Sequence, residues 1–467
     1  MHRDLADKQV YIVTCAQNAT PLSMPFWKSL LHAVEYFDAQ LVVIPIRYKN
    51  PTSMFTAWNE EQERWDPALE NGGYLYEGRD LIHSNLLVLG DIKMQATAVS
   101  PLSGWESISG PHSAIIGHPK LEMRMVPTPQ TALPKMMITT GSCTQRNYTD
   151  TRAGKRAEFH HTFGACLVER DGDRFYIRQL NAMRDGTFID LRKKFTPKGV
   201  FDSGPAEALV MGDTHVDVVD PRVVSATFTD PDSIVKVMQP KLLIWHDLVD
   251  GATVNPHRAK NPFVNAARKS RNLCDVREEL ERCAAFVDKY SPPDAGNIII
   301  PSNHDDFLNR WMQTTDWRDD PENAAFFLET ALVMVQTGKI GPGGYEGIDP
   351  FAYWMKRLCK HRNVIYPEFG GGITVKDVDI SMHGHLGANG ARGGLRGFSK
   401  LGVKTIIGHS HTPGIIEGAY QVGTSTVLQL EYNDGPSSWL NTHALVYPNG
   451  KRTLINIIKG KWRRGNV

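Results

Sequence analysis

The chain has almost no excess of charge of either sign. Its 52 Lys and Arg stand against 51 Asp and Glu. That balance excludes a globally basic protein that coats nucleic acid, but not a local basic groove. Cysteine is scarce and scattered: Cys15, Cys143, Cys166, Cys274, Cys283 and Cys359 form no C-x-x-C pair. Such spacing is read most simply as reduced thiols in a cytoplasmic protein. No apolar run approaches the roughly 20 residues that span a bilayer. The opening MHRDLADKQV lacks the basic-then-apolar order of a secretory signal. A soluble cytoplasmic protein with no membrane partner is therefore expected, and the N-x-T triplets at Asn18 and Asn147 are chance matches. No internal repeat and no long low-complexity tract can be read from the sequence.

What is present is ordinary globular composition, 41% hydrophobic and 22% charged, over 467 residues. That length has room for two or three domains. The first 200 residues read as an α/β region. Val10–Thr14 and Leu41–Ile46 are apolar strands, and Phe26, Leu30, Val34 and Phe37 between them fall at helical spacing. Leu86–Leu89, Ala114–Ile116 and Met136–Thr139 are further strands. A hairpin is expected where Cys166–Glu169 and Arg174–Ile177 flank Asp171-Gly172-Asp173. Thr196–Pro205 carries Pro and Gly without periodicity, which places a boundary between residues 1–200 and 201–467.

Beyond that boundary, short apolar strands end one after another in polar residues. Ala208–Met211 runs into Gly212-Asp213-Thr214-His215, and Leu242–Trp245 into His246-Asp247-Leu248-Val249-Asp250. Ile298–Ile300 runs into Pro301-Ser302-Asn303-His304-Asp305. Val378–Met382 runs into His383-Gly384-His385, and Thr405–Ile407 into Gly408-His409-Ser410-His411. A helix carrying Val276, Leu280, Cys283 and Val287 on one face lies between the second and third units. In open α/β sheets ligands gather beyond the carboxyl ends of strands, so these clusters are expected to converge.

The converging donors are carboxylate, amide and imidazole: Asp213, Asp247, Asn303, His215, His383, His409 and His411. Without a thiolate, the set suits Mn, Fe or Zn in a hydrolytic site, not a structural zinc site. Asp213 and His215, two apart on an extended segment, point the same way, as do His409 and His411. Asp247 can bridge two ions. Ions about 3.5–4 Å apart supply a nucleophile and clamp an in-line phosphoryl displacement.

In this order the residues resemble a known family. D-x-H, G-D-x-x-D, G-N-H-[DE], H and G-H-x-H mark calcineurin-like metallophosphoesterases. Here they read Asp213-Thr214-His215, His246-Asp247-Leu248-Val249-Asp250, Ser302-Asn303-His304-Asp305, His383 and Gly408-His409-Ser410-His411. The resemblance covers residues 205–450 and departs at two glycines, replaced by His246 and Ser302, neither a ligand position in the family. It implies a C-terminal metallophosphoesterase α/β sandwich; with residues 1–200 read as above, the expected fold class is α/β, that sandwich preceded by a separate N-terminal α/β domain. The resemblance also implies one ion on Asp213, His215, Asp247 and His411, and another on Asp247, Asn303, His383 and His409. Mn²⁺ is the expected pair, with Mg²⁺, Fe²⁺ and Zn²⁺ as alternatives. His304 would assist the leaving oxygen, and Asp250 would orient its ring. His385 competes with His383; His383 comes directly off the strand and precedes Gly384, as in the family. Gly90-Asp91 and Gly117-His118 mimic single motifs without companions and read as turn residues, and His160 and His161 as surface histidines.

The arginines that follow the corresponding motifs in protein phosphatases are missing: Gly251 follows Asp250, and Asp306-Phe307 follows Asp305. This favours a phosphodiester substrate. The region after Asp247 is similar to the nuclease subunits of double-strand-break repair complexes, the SbcD type. The long leader before Asp213 is similar to that of phage early proteins of the T5 type that destroy host DNA, which would place the chain in the host cytoplasm. The expected substrate is DNA, with Arg392 and Arg396 of the glycine-rich loop Gly387–Gly397 as phosphate contacts. Arg192, Lys193, Lys194 and Lys198 form a second basic cluster, and Lys459, Lys461, Trp462, Arg463 and Arg464 a third, its competing reading a frayed tail. A small-molecule phosphodiesterase or nucleotidase, and a scaffold with a vestigial site, are the competing readings; assembly into a homo-oligomer stays open.

Overall fold

A computed structural model describes residues 5–50, 55, 64–132, 134–255, 261–342, 344–361, 363–370, 372–430 and 433–465. Two layers of β-sheet face one another across a common core, with helices outside. In the first layer a six-stranded sheet runs in the order Val364–Ile365, Gly296–Ile299, Leu242–Trp245, Ala208–Val210, Thr442–Val446, Arg452–Asn456. The first four are parallel and the last two antiparallel. Period-two alternation sorts its side chains. Ala208, Val210, Ile244 and Ile298 enter the core between layers. Leu209, Leu243, Trp245 and Ile299 face the other way, under Leu280, Cys283 and Val287 of the helix Val276–Tyr290. That helix starts where the Asp275 side chain accepts from the Glu278 amide.

A four-stranded sheet continues the same layer, in the order Gln40–Ile46, Val10–Gln17, Gly164–Asp171, Arg174–Asn181. Tyr11, Val13 and Cys15 point into the common core, while Val10 and Ile12 meet Phe26 and Leu30 of the helix Met24–Tyr36. The two sheets meet edge to edge through Gln179. Its Oε1 accepts from Thr453 Oγ1 at 3.0 Å and from the Leu454 amide at 3.1 Å. The second layer is one ten-stranded sheet. It runs Thr374–Val375, Val378–Asp379, Lys404–Ile407, Ala419–Gln421, Gly414–Ile416, Glu122–Val126, Lys135–Thr139, Ser113–Ile116, Leu86–Leu89, Arg79–His83.

This architecture is mixed α/β, as the strand and helix patterns predict, but three local expectations fail. The stretch taken as a linker forms a strand, Gly199–Asp202, paired with Lys193–Thr196, which pairs in turn with Phe188–Asp190. Its anchor is Phe195, fully buried and stacked on Phe188 at 5.1 Å, a single aromatic that periodicity cannot flag. The strand expected over Val378–Met382 stops at Asp379, whose carboxylate takes the Ser381 amide and hydroxyl and so competes with the ladder. The tail is docked rather than frayed: the Trp462 indole donates to the Asp232 carbonyl, and Lys459 and Lys461 pair with Asp173 and Asp230. The ten-stranded sheet and the common core both cross residue 200, so residues 1–200 and 201–467 share a sheet and a core. Among the described residues no helix is long and apolar enough to cross a membrane.

Gln179→Ala should cost about 1–3 kcal/mol, because it strands the buried Leu454 amide at the junction. Urea unfolding of the variant beside wild type measures this; an unchanged midpoint would show that the edge contact is idle.

Candidate metal centre

Both layers end their strands at the same place. From the first layer come Asp213, His215, His246 and Asp247, just past Val210 and Trp245. From the second come His383, His409 and His411. The chain continues past each strand in register: the amides of Thr214, His215 and Val216 donate to the carbonyls of His246, Asp247 and Leu248 at 2.9, 2.7 and 3.1 Å. Within the second layer the Gly408 amide donates to the His383 carbonyl at 2.7 Å, and the layers are tied by the His409 amide on Asp213 Oδ1 at 3.2 Å. His443 is a hidden support, its Nδ1 accepting the Gly212 amide and its Nε2 facing Thr227 Oγ1.

Asp213, His215, Asp247 and His411 bring their ligand atoms within 4.8 Å of one another, and so do Asp247, His383 and His409. Asp247 belongs to both groups. His383 Nε2 lies 3.1 Å from Asp247 Oδ2, and His411 Nε2 3.3 Å from Asp213 Oδ2. His215 Nε2 and His411 Nε2 are 3.1 Å apart. Atoms about 2.1 Å from one ion at right angles lie about 3 Å apart, so this spacing, which also suits hydrogen bonds, is compatible with co-ligands. Buried side-chain oxygens that carry no hydrogen bond include Asp213 Oδ2, Asp247 Oδ1 and Asn303 Oδ1. Buried polar atoms are nearly always paired; the unbonded oxygens of Asp213 and Asp247, two carboxylates of one cluster, fit a bound cation.

Electrostatics agree with that fit. Burial pulls His411 and His246 down to about 3, and His409 to about 4; His215 also lies well below its usual range. These rings are neutral and keep a lone pair for a metal. Burial likewise lifts Asp213 to about 8. Asp247 goes the other way: burial opposes its charge, but His383, His304 and His215 outweigh it and hold the carboxyl far below its usual range. Burial also disfavours charge on His383, yet Asp247 carries it to about 9. The backbone is strained at the same points: His215, Asp247, His409 and His411 have φ of 42, 42, 78 and 57°. Left-handed geometry at non-glycine residues costs about 1–3 kcal/mol each and clusters at functional sites.

The remaining candidates fall as follows. His383 lies in the cluster; His385 is one ring further out, 5.5 Å from His383 and 5.9 Å from His409. Half-buried His304 packs edge-on against His215 at 4.4 Å. Its Nδ1 bonds the Asp250 backbone carbonyl at 2.8 Å, while the Asp250 carboxylate sits 3.6 Å from His215 Nδ1. Arg392 is exposed and close enough to His409 for its charge to be felt there; Arg396 acts instead on Glu122. The loop around them folds back on the site, the Gly393 amide donating to the His385 carbonyl at 2.9 Å. His161 is buried against Tyr148 and Thr144, not on the surface, and His160 faces Glu417 at 3.3 Å. Sequence reasoning missed His246. Read as a replaced glycine, it places Nδ1 3.2 Å from His383 Nδ1, where one ring donates to the other and fixes its tautomer. It also missed Trp439, packed on His411 at 4.2 Å. No sequence spacing marks Trp439; His246 is marked only by standing between the strand and Asp247.

No family model matches the chain. It is similar to Protein A1 of Escherichia phage T5, 29% identical over 465 residues, covering 97% of this chain and 82% of that protein. A solved structure of Chaetomium thermophilum Vps29, complexed with the RaPID-derived cyclic peptide RT-D3, aligns with 40% of this chain and 97% of its own. The identity is 14% and the TM-score 0.21, too low to carry a structural argument.

Two outcomes follow from this geometry. A metal must displace the protons held by His383 and Asp213, so uptake at pH 7 should release protons. Its apparent affinity should rise with pH and level off above about 9. Calorimetry in buffers of different ionisation enthalpy counts them; a count of zero contradicts the assignment. Secondly, a Cβ on Gly408 would stand 2.3 Å from Asp213 Oδ1. Gly408→Ala should therefore lower bound metal, read by elemental analysis, in a chain that still folds.

Proposed function

We propose that this chain is a two-metal phosphodiester hydrolase of the calcineurin-like class, acting on DNA as a nuclease. The observation that carries the reading is the place of Asp247: one buried carboxylate has a ligand atom within 4.8 Å of those of Asp213, His215 and His411 and also of those of His383 and His409. Ligands would be Asp213, His215, Asp247 and His411 for one ion, and Asp247, Asn303, His383 and His409 for the other. Divalent cations such as Mn²⁺, bound there, would supply a nucleophile at neutral pH and neutralise a phosphate.

The chain's own residues do the rest. His304 is half-buried beside His215, reachable from solvent yet next to the cluster. With Nδ1 committed to the Asp250 carbonyl, it presents Nε2 to a leaving oxygen, which it protonates or stabilises. Asp250 thus positions His304 through its main chain. Its carboxylate, facing His215 Nδ1, would fix the tautomer that leaves His215 Nε2 free as a ligand. Exposed Arg392 beside His409 offers a guanidinium to a phosphate at the mouth. Arg396 is set toward Glu122 and is not assigned a contact. A phosphodiester is favoured because no arginine follows Asp250 or Asp305 to meet the extra charge of a monoester. Similarity to a phage protein along 97% of the chain fits the T5-type likeness read in the leader.

The test is cleavage of linear DNA by the Mn²⁺-loaded protein beside a chromogenic phosphomonoester. DNA should be cut, and His304→Ala should slow it about 100- to 10,000-fold with metal content unchanged. Turnover of the monoester alone would refute the substrate assignment. Asp247→Asn should lose both metal and activity.

A further inference from the structure

The ten-stranded sheet reads the same outward from its middle in both directions. On one side of the junction come Glu122–Val126, Lys135–Thr139, Ser113–Ile116, Leu86–Leu89 and Arg79–His83, joined antiparallel, parallel, parallel, antiparallel. On the other come Gly414–Ile416, Ala419–Gln421, Lys404–Ile407, Val378–Asp379 and Thr374–Val375, with the same four relations in the same sequence. The two central strands pair antiparallel, as a two-fold axis between them requires. The other layer repeats likewise. Gln40–Ile46, Val10–Gln17, Gly164–Asp171 and Arg174–Asn181 match Leu242–Trp245, Ala208–Val210, Thr442–Val446 and Arg452–Asn456 in order and direction. The last member of each set meets the other at Gln179 and Thr453. Chain order is the same in both sets throughout.

Agreement extends to single hydrogen bonds. The Cys15 amide donates to Gly141 O, the Cys143 amide and Ser142 Oγ donate to Cys15 O, and Ser142 Oγ lies 2.9 Å from Thr144 Oγ1. The Asp213 amide donates to Gly423 O, the Ser425 amide and Thr424 Oγ1 donate to Asp213 O, and Thr424 Oγ1 lies 2.9 Å from Thr426 Oγ1. A Cβ on Gly117 would meet Ile44 and Cys15; on Gly408 it would meet His246 and Asp213. Ile115-Ile116-Gly117-His118 and Ile406-Ile407-Gly408-His409 are the trace left in sequence.

We infer that residues 5–182 are a second, metal-free copy of the metal-bearing unit, kept as its built-in partner. This rests on the proposed centre for the words metal-bearing. At the places of Asp213, His215, Asp247, His409 and His411 stand Cys15, Gln17, Pro45, His118 and Lys120. The replacements turn to other partners. Gln17 Nε2 donates to Asn147 O at 2.7 Å, His118 Nδ1 accepts the Lys120 amide at 3.0 Å, and Lys120 pairs with Glu417 of the other copy at 2.9 Å. Among the described residues Asn303 and His304 have no counterpart: they lie between Trp245 and Thr374, a span far longer than the one between Ile46 and Arg79. The partner covers two open strands, Gly414–Ile416 and Arg452–Asn456, that would otherwise template aggregation. It also reaches the centre: Thr128 exchanges two backbone hydrogen bonds with Ser437, two residues before the Trp439 that packs on His411.

Full-length protein decides this in two ways. In metal-free chain, hydrogen exchange across a urea series should show 113–116, 122–126, 404–407 and 414–416 losing protection at one midpoint; separate midpoints would overturn the partnership. In metal-loaded chain, His118→Gln and Cys15→Ser should keep wild-type metal content by elemental analysis, and Gly117→Ala should lower the unfolding midpoint without metal loss. His409→Gln should lower the content. Metal loss in His118→Gln or Cys15→Ser would overturn the metal-free assignment. A wild-type chain that takes up no metal would refute the proposed centre, while the exchange result still decides the pairing.

Discussion

Asp247 is a carboxylate at 1% exposure, and it is charged. Burying an unpaired carboxylate costs several kcal/mol, so such a group survives only where opposite charge and ligands surround it. His383 at 3.1 Å answers that demand in the metal-free chain, and cations would answer it in the loaded one. Much of the local structure serves to bring imidazoles to this point. The strand ends take left-handed turns at His215, Asp247, His409 and His411, and Gly408 stays bare so that Asp213 can lie against it. Neutral rings line the cluster because burial strips them of protons, which leaves them fit to be ligands.

No single sheet builds this point. Asp213, His215 and Asp247 leave the six-stranded sheet, and His383, His409 and His411 leave the ten-stranded sheet. The distances between them are set by how the layers pack, through Val210 and Ile244 on one side and Ile406 and Ile380 on the other. Residues far from the chemistry therefore bear on it. Thr128 steadies the loop that carries Trp439, and His443 holds the Gly212 amide from behind. The first 180 residues thereby gain a physical role, since the second layer would end in open strands without them.

Most strands were legible because burial follows a period of two, and the helix Val276–Tyr290 because its apolar residues recur at three and four. The candidate ligands were legible as polar residues after apolar strands, in one order. What could not be read has physical causes. Phe195 anchors a strand where Pro and Gly suggested a linker. Asp250 engages His304 by a carbonyl, an atom every residue owns and no motif encodes. The repeat of the fold survives in strand pairing and main-chain hydrogen bonds, which tolerate almost any side chain; only an Ile-Ile-Gly-His pair records it, and alone it read as a turn.

The sequence by itself determined which donors are available and which are not: carboxylate, amide and imidazole after strands, no thiolate among them, no span for a membrane, no excess of charge. Those properties belong to residue types and their local order. Tertiary structure alone decided that Asp247 stands between two groups of donors, that the His246 ring lies against His383, and that the leader is folded into the same sheet as the ligands. Each of these depends on contacts between segments a hundred or more residues apart, and local periodicity carries no information about such distances.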